Sequence, residues 1–198
     1  MALVSGEGSN LRALAAACER GEVPGEVVAV GSDRECGGVT WASGRDIATF
    51  VVPFRSPRAE WSSVLLERVR YFRPDLVVSA GFMRILSPEF VDAYEGRLIN
   101  LHPSLLPSFP GPRAVRDALA AEVAATGTTV HFVDHGVDSG PVILQRTVPI
   151  EPGDTEESLH ARIKGAEHEL LPEACRHVLF RQSPAEEAVA QKPDCSWS

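Results

Sequence analysis

Short apolar runs alternate with amphipathic stretches along most of the chain. Residues 2–5, 27–30, 47–52, 76–79, 98–100, 128–133 and 142–148 read as strands. The run at 76–79 is apolar at every position but its last, as in a strand covered on both faces. Helical spacing appears over 9–20, with Leu11, Leu14, Ala15 and Cys18 on one face. It appears again over 58–72, with Trp61, Val64, Leu65, Val69 and Phe72. Residues 115–121 read as helical. A long helix is expected from about Thr155, capped by Asp154 with Glu157 three residues on, and burying Leu159, Ile163, Ala166 and Leu170. Pro172 should kink or end it.

Strand and helix alternating in this way predict an α/β fold: a mostly parallel, twisted sheet with helices on both faces. No repeat and no domain boundary interrupts residues 1–182. Residues 183–198 are polar and Pro-punctuated, and are expected to form a loose tail.

Composition narrows the function more than the fold. The chain has 198 residues and a formal net charge of −8, which argues against a nucleic-acid partner. No apolar stretch has the length of a membrane span, and no secretory pattern precedes the first strand, so a cytoplasmic protein without a membrane partner is expected. Cys18, Cys36, Cys175 and Cys195 lack CxxC spacing, so reduced thiols are expected rather than a zinc or redox site.

Three motifs carry chemistry. Ser5-Gly6-Glu7-Gly8-Ser9-Asn10 follows a strand and opens a helix. Its glycines let a ligand approach the backbone, and the free N–H groups of the first helical turn favour an anion. It lacks the third glycine of a dinucleotide fingerprint and the Lys-Ser/Thr of a Walker loop, so a mononucleotide-type phosphate fits best; a βα turn capped by Ser9 is the plain structural alternative. Glu7 would repel a phosphate and is expected to point outward. Asn100-Leu101-His102-Pro103-Ser104-Leu105-Leu106-Pro107 places Asn100 and His102 two apart, on one side of an extended segment that Pro103 keeps from turning helical. A carboxamide beside an imidazole suits acyl transfer, although a core Asn and a buried His have the same spelling. Asp134-His135-Gly136-Val137-Asp138-Ser139-Gly140-Pro141 is a tight loop whose carboxylate can orient His102 or simply cap backbone N–H groups.

Together, in this order, the motifs resemble the phosphoribosylglycinamide formyltransferases, folate-dependent enzymes of purine synthesis. The resemblance runs from about Leu3 to Phe180. It is carried also by Ala80-Gly81-Phe82-Met83-Arg84-Ile85-Leu86-Ser87-Pro88, by Pro110-Gly111, by Val130-His131-Phe132-Val133 and by residues 137–145. It implies a Rossmann-like formyltransferase fold, 10-formyltetrahydrofolate as co-substrate, phosphoribosylglycinamide as acceptor, no metal, and a monomer or homodimer. It assigns catalysis to Asn100, His102 and Asp138, and substrate phosphate binding to Gly8, Ser9 and Asn10. Glu167 falls where the family contacts the ribose hydroxyls, and Arg58 matches an arginine near the phosphoribosyl end. The folate pterin is placed against Met83, Arg84, Ile85, Leu86, Val91, Leu98 and the loop up to Asp138.

Departures are a short first strand, Glu7 where the family is neutral, and Pro112-Arg113 after Pro110-Gly111. Leu106-Pro107 is a candidate cis bond. A methionyl-tRNA formyltransferase would need a further basic domain, and a formyltetrahydrofolate hydrolase a regulatory one. A sugar-nucleotide formyltransferase, or a non-catalytic nucleotide- or folate-binding module, is the remaining alternative.

Overall fold

The computed structural model describes residues 1–181; the expected tail at 183–198 lies outside the described residues. Seven strands form one sheet in the order β3-β2-β1-β4-β5-β6-β7. They are β1 (Ala2–Val4), β2 (Ala29–Ser32), β3 (Ala48–Val51), β4 (Val77–Ser79), β5 (Leu98–His102), β6 (Ala125–Phe132) and β7 (Val142–Pro149). The first five run parallel, while β6 pairs antiparallel with β5 and with β7. The helices are α1 (Ser9–Glu19), α2 (Gly37–Ser43), α3 (Arg58–Tyr71), α4 (Pro88–Ala93), α5 (Ala114–Ala120) and α6 (Glu156–Arg181).

The period-two pattern of the strands divides the core. Ala2 and Val4 join one apolar cluster with Leu11 and Leu14 of α1 and Leu170, Leu171 and Val178 of α6. Leu3 points the other way, to Trp61, Leu65 and Val69 of α3 and Phe90 of α4. Both faces are thus covered, as a parallel sheet requires. A smaller cluster of Val115, Val148, Leu159 and Ile163 closes the β7 end.

Several expectations need correction. The second strand is Ala29–Ser32, two residues beyond the expected 27–30. Pro172 does not end α6, which continues to Arg181. The missing hydrogen bond of one proline is outweighed by the burial of Ala174, Cys175 and Val178 beyond it. The start of α6 is capped one residue later than expected. Thr155 Oγ1 accepts from Ser158 N–H at 3.2 Å, and Ser158 Oγ accepts from Thr155 N–H at 3.0 Å. Asp154 instead braces the turn, accepting from Glu151 N–H and from Arg162. Helices α2 and α4 were not expected. The signal for α4 was present: Ser87 caps it, accepting from Phe90 N–H, with Pro88 in the first turn. Leu106-Pro107 is cis, as is Ser56-Pro57.

Candidate active site

In an open α/β sheet, neighbouring strands whose following helices depart to opposite faces leave a crevice at their carboxyl ends. Here that point lies between β1, which leads into α1 on one face, and β4, which leads towards α4 on the other. The three motifs gather on and beside β4, β1 and β5.

After β1 the chain must turn sharply into α1. Gly8 is the N-cap, in the left-handed region at φ 73°, and a Cβ there would lie 2.7 Å from Gly38 Cα. Glycine is therefore demanded twice, by conformation and by contact. No side chain caps α1, so its first N–H groups stay free to meet a ligand; Ser9 is the first helical residue, not the cap. Glu7 is exposed, as expected. Asn10 is buried, and its Nδ2 donates to Glu167 Oε2 of α6 at 2.9 Å, while its Oδ1 has no partner among the described residues. Burial raises the Glu167 carboxyl above the ordinary range, and the Asn10 bond and the nearby Lys164 and His102 offset this only in part.

On β5, Asn100 and His102 face the same side, and the loop between β6 and β7 folds back to meet them. His102 Nδ1 lies 3.3 Å from Asp138 Oδ2. Asn100 Nδ2 donates to Asp138 Oδ1 at 3.4 Å, and Gly111 N–H donates to Asp138 Oδ2 at 2.8 Å. His102 Nε2 meets the Phe109 carbonyl at 2.9 Å. Both ring nitrogens of His102 thus lie beside oxygen atoms, one of a carbonyl and one of a carboxylate.

Sequence reasoning gave no role to His131. It lies opposite Asn100 in the antiparallel pairing and is 2% exposed. Its Nε2 is 3.2 Å from Asn100 Nδ2, and its Nδ1 is 2.8 Å from the Phe132 carbonyl. Burial lowers its pKa, with the Phe132 bond and Asp138 acting the other way, so the ring is neutral at neutral pH. The consistent tautomer donates from Nδ1 to Phe132 and accepts from Asn100, which fixes the carboxamide. The carbonyl of Phe109 was also missed. Phe109 is left-handed at φ 54°, and Ser104 Oγ donates to the carbonyls of Ser108 and Phe109 at 2.6 and 3.3 Å. These contacts depend on strand pairing and turn geometry that spacing alone does not reveal.

The expected folate wall divides by burial. Val91 and Leu98 are core residues of the α3/α4 cluster, and Leu86 is half-buried against it. Met83 and Ile85 are 70% and 56% exposed. The Arg84 side chain turns to the end of β2, where its Nε donates to Asp33 Oδ2 at 2.7 Å. Arg58 is exposed at the first turn of α3 and makes no ion pair or hydrogen bond among the described residues; the structure does not bring it to the other site residues.

The formyl transferase family model matches residues 1–175. A phosphoribosylglycinamide formyltransferase of Mycobacterium tuberculosis (strain ATCC 25618 / H37Rv) is 48% identical over 171 residues, 85% of this chain and 79% of its own length. The Escherichia coli (strain K12) enzyme of the same name is 44% identical over 173 residues, 86% of this chain and 82% of its own. The crystal structure of glycinamide ribonucleotide transformylase 1 from Symbiobacterium toebii superposes with a TM-score of 0.88 at 41% identity, covering 91% of this chain and 87% of that one. The chain belongs to the formyl transferase family.

Proposed function

We propose that this protein transfers the formyl group of 10-formyltetrahydrofolate to the primary amine of 5'-phosphoribosylglycinamide, with Asn100, His102 and Asp138 as its catalytic residues. The observation that carries this reading is their convergence: the Asp138 carboxylate lies 3.3 Å from the His102 imidazole and 3.4 Å from the Asn100 carboxamide, at the same carboxyl end of the parallel strands as the uncapped N-terminus of α1. The free N–H groups after Gly8, at Ser9 and Asn10, take the substrate phosphate. Glu167, its carboxyl raised above the ordinary range by burial, offers hydrogen bonds to the ribose hydroxyls. Arg58 contributes long-range attraction for the anionic end of a ligand. Met83, Ile85 and Val137 are exposed apolar side chains on the two loops flanking Asn100, and with Leu86 they supply an apolar surface for the pterin, backed by Val91 and Leu98.

The amine attacks the formyl carbon, and the carbonyl oxygen becomes an oxyanion. The Asn100 amide, steadied by His131 and turning its second hydrogen from Asp138 to that oxygen, and the protonated His102 ring stabilise that charge; a donor of this kind contributes about 10²–10³ in rate. Asp138 holds His102 and accepts the proton that the attacking amine sheds, for delivery to the folate nitrogen as the tetrahedral species collapses. No covalent enzyme intermediate is required, because the two substrates meet directly.

The test is an assay of the purified chain with 10-formyltetrahydrofolate and phosphoribosylglycinamide, with an amino-sugar nucleotide as competing acceptor. Formyl transfer to the glycinamide, and not to the sugar, is expected. Transfer to the sugar nucleotide alone would replace this reading with the related one, and no transfer to either would leave a binding module.

A further inference from the structure

Across the crevice from the reacting groups lies a set of polar contacts that the transfer chemistry does not use. Asp33 follows β2, and its carboxylate is fully buried. Ser5 Oγ donates to Asp33 Oδ1 at 2.7 Å and accepts from Met83 N–H at 2.9 Å. Arg84 Nε donates to Asp33 Oδ2 at 2.7 Å, and Arg34 Nη2 donates to the same oxygen at 2.8 Å. The Arg84 guanidinium also lies 4.2 Å from the ring centre of Phe54. These bonds span the switch point: Ser5 and Asp33 belong to the β1–β2 side, and Met83 and Arg84 to the loop after β4.

The loop they hold has little apolar anchorage of its own at these positions, since Met83 and Ile85 are both exposed. Hydrogen bonds to a buried charge do there what burial does elsewhere. We propose that Asp33 is a positioning residue, holding the backbone of residues 83–85 at the spacing a folate ring system needs. This rests on the reading of residues 83–86 as the folate wall. The phosphate loop meets Asp33 at Ser5, but beyond that residue it has a separate tether, from Gly38 N–H to the Gly6 carbonyl at 2.9 Å.

Steady-state kinetics of the full chain test this, with each substrate varied in turn. Asp33→Asn should raise KM for formyl-folate about tenfold, the scale of one lost charge-assisted hydrogen bond, with kcat and the glycinamide KM within about twofold of the parent. Arg34→Ala removes a guanidinium from Asp33 without touching residues 83–85, and should lower Tm while leaving the folate KM unchanged. Should Asp33→Asn fail to fold, Ser5→Ala cuts only the bridge to Met83 and should raise the folate KM about threefold. Parental folate KM in the variant that folds, equal rises in both KM values, or an equal rise in Arg34→Ala overturns the proposal. Ile85→Asp, outside this network, tests the wall itself. A parental folate KM there sinks the wall reading, whereas a raised value beside a parental Asp33→Asn sinks only the role of Asp33.

Discussion

The reacting cluster and the Asp33 cluster face each other across one crevice, and each is built around an aspartate. Their partners differ in kind. Asp33 meets two guanidiniums and a hydroxyl. Burial alone would push its carboxyl up, but the bonds from Arg34, Ser5 and Arg84 outweigh that and bring it down to about 2. Asp138 meets an imidazole, a carboxamide and a backbone N–H, with no permanent cation among the described residues. Glu167 is a third case, buried against an amide and raised. A carboxylate saturated by arginines is a fixed charge that holds structure. One whose partners can gain, lose or redirect a hydrogen is free to take part in a reaction.

The largest expected effect is on the reactive side. Asp138→Asn should lower kcat by about 10³-fold or more, with both KM values within a few-fold of the parent. Unchanged kcat would erase the distinction from Asp33. His102→Ala should lose at least about 2.7 kcal/mol of transition-state stabilisation, measured as kcat/KM. A near-parental rate would take the ring out of the chemistry.

The next effect belongs to Asp33 and appears as stability. Its folded pKa is depressed from 3.8 to about 2, so its contribution is complete above about pH 4 and is lost as pH falls towards 2. Denaturant melts should show Asp33→Asn about 2 kcal/mol less stable than the parent at pH 7, with the gap closing in acid. A gap that persists unchanged at pH 2 would contradict the fixed-charge account. The smallest effect is at Glu167, with the opposite sign. Its raised pKa means that ionisation costs stability as pH rises past the unfolded value of 4.5. Glu167→Gln should therefore melt higher than the parent at pH 8 and equally at pH 4, while raising the KM for the glycinamide substrate. A lower melting temperature at pH 8 would reverse the sign argued here.

Much of this was legible in the sequence because it is local. Period-two and period-3.6 patterns place most strands and the long helices, and the spacing of Asn100 and His102 puts both on one side of β5. What was not legible depends on pairing between distant segments. His131 acquires its role only because β6 runs antiparallel to β5 and sets it opposite Asn100. Asp33 carries no motif of its own and gains its meaning only when Arg84 arrives from 51 positions away. Pro172 misled for a related reason: a local rule was overridden by tertiary burial on both sides of it.

The antiparallel ribbon of β6 and β7 forms one margin of the sheet, where strands open before those in the middle. His131 lies on that ribbon and Asp138 on its connecting loop, so the ribbon's local opening governs how long the machinery stays assembled. Hydrogen exchange under mild denaturant should find the amides of β6 and β7 exchanging while β1 and β4 remain protected. Catalysis should fade at that first step, leaving an inactive molecule with most of its interior still in place.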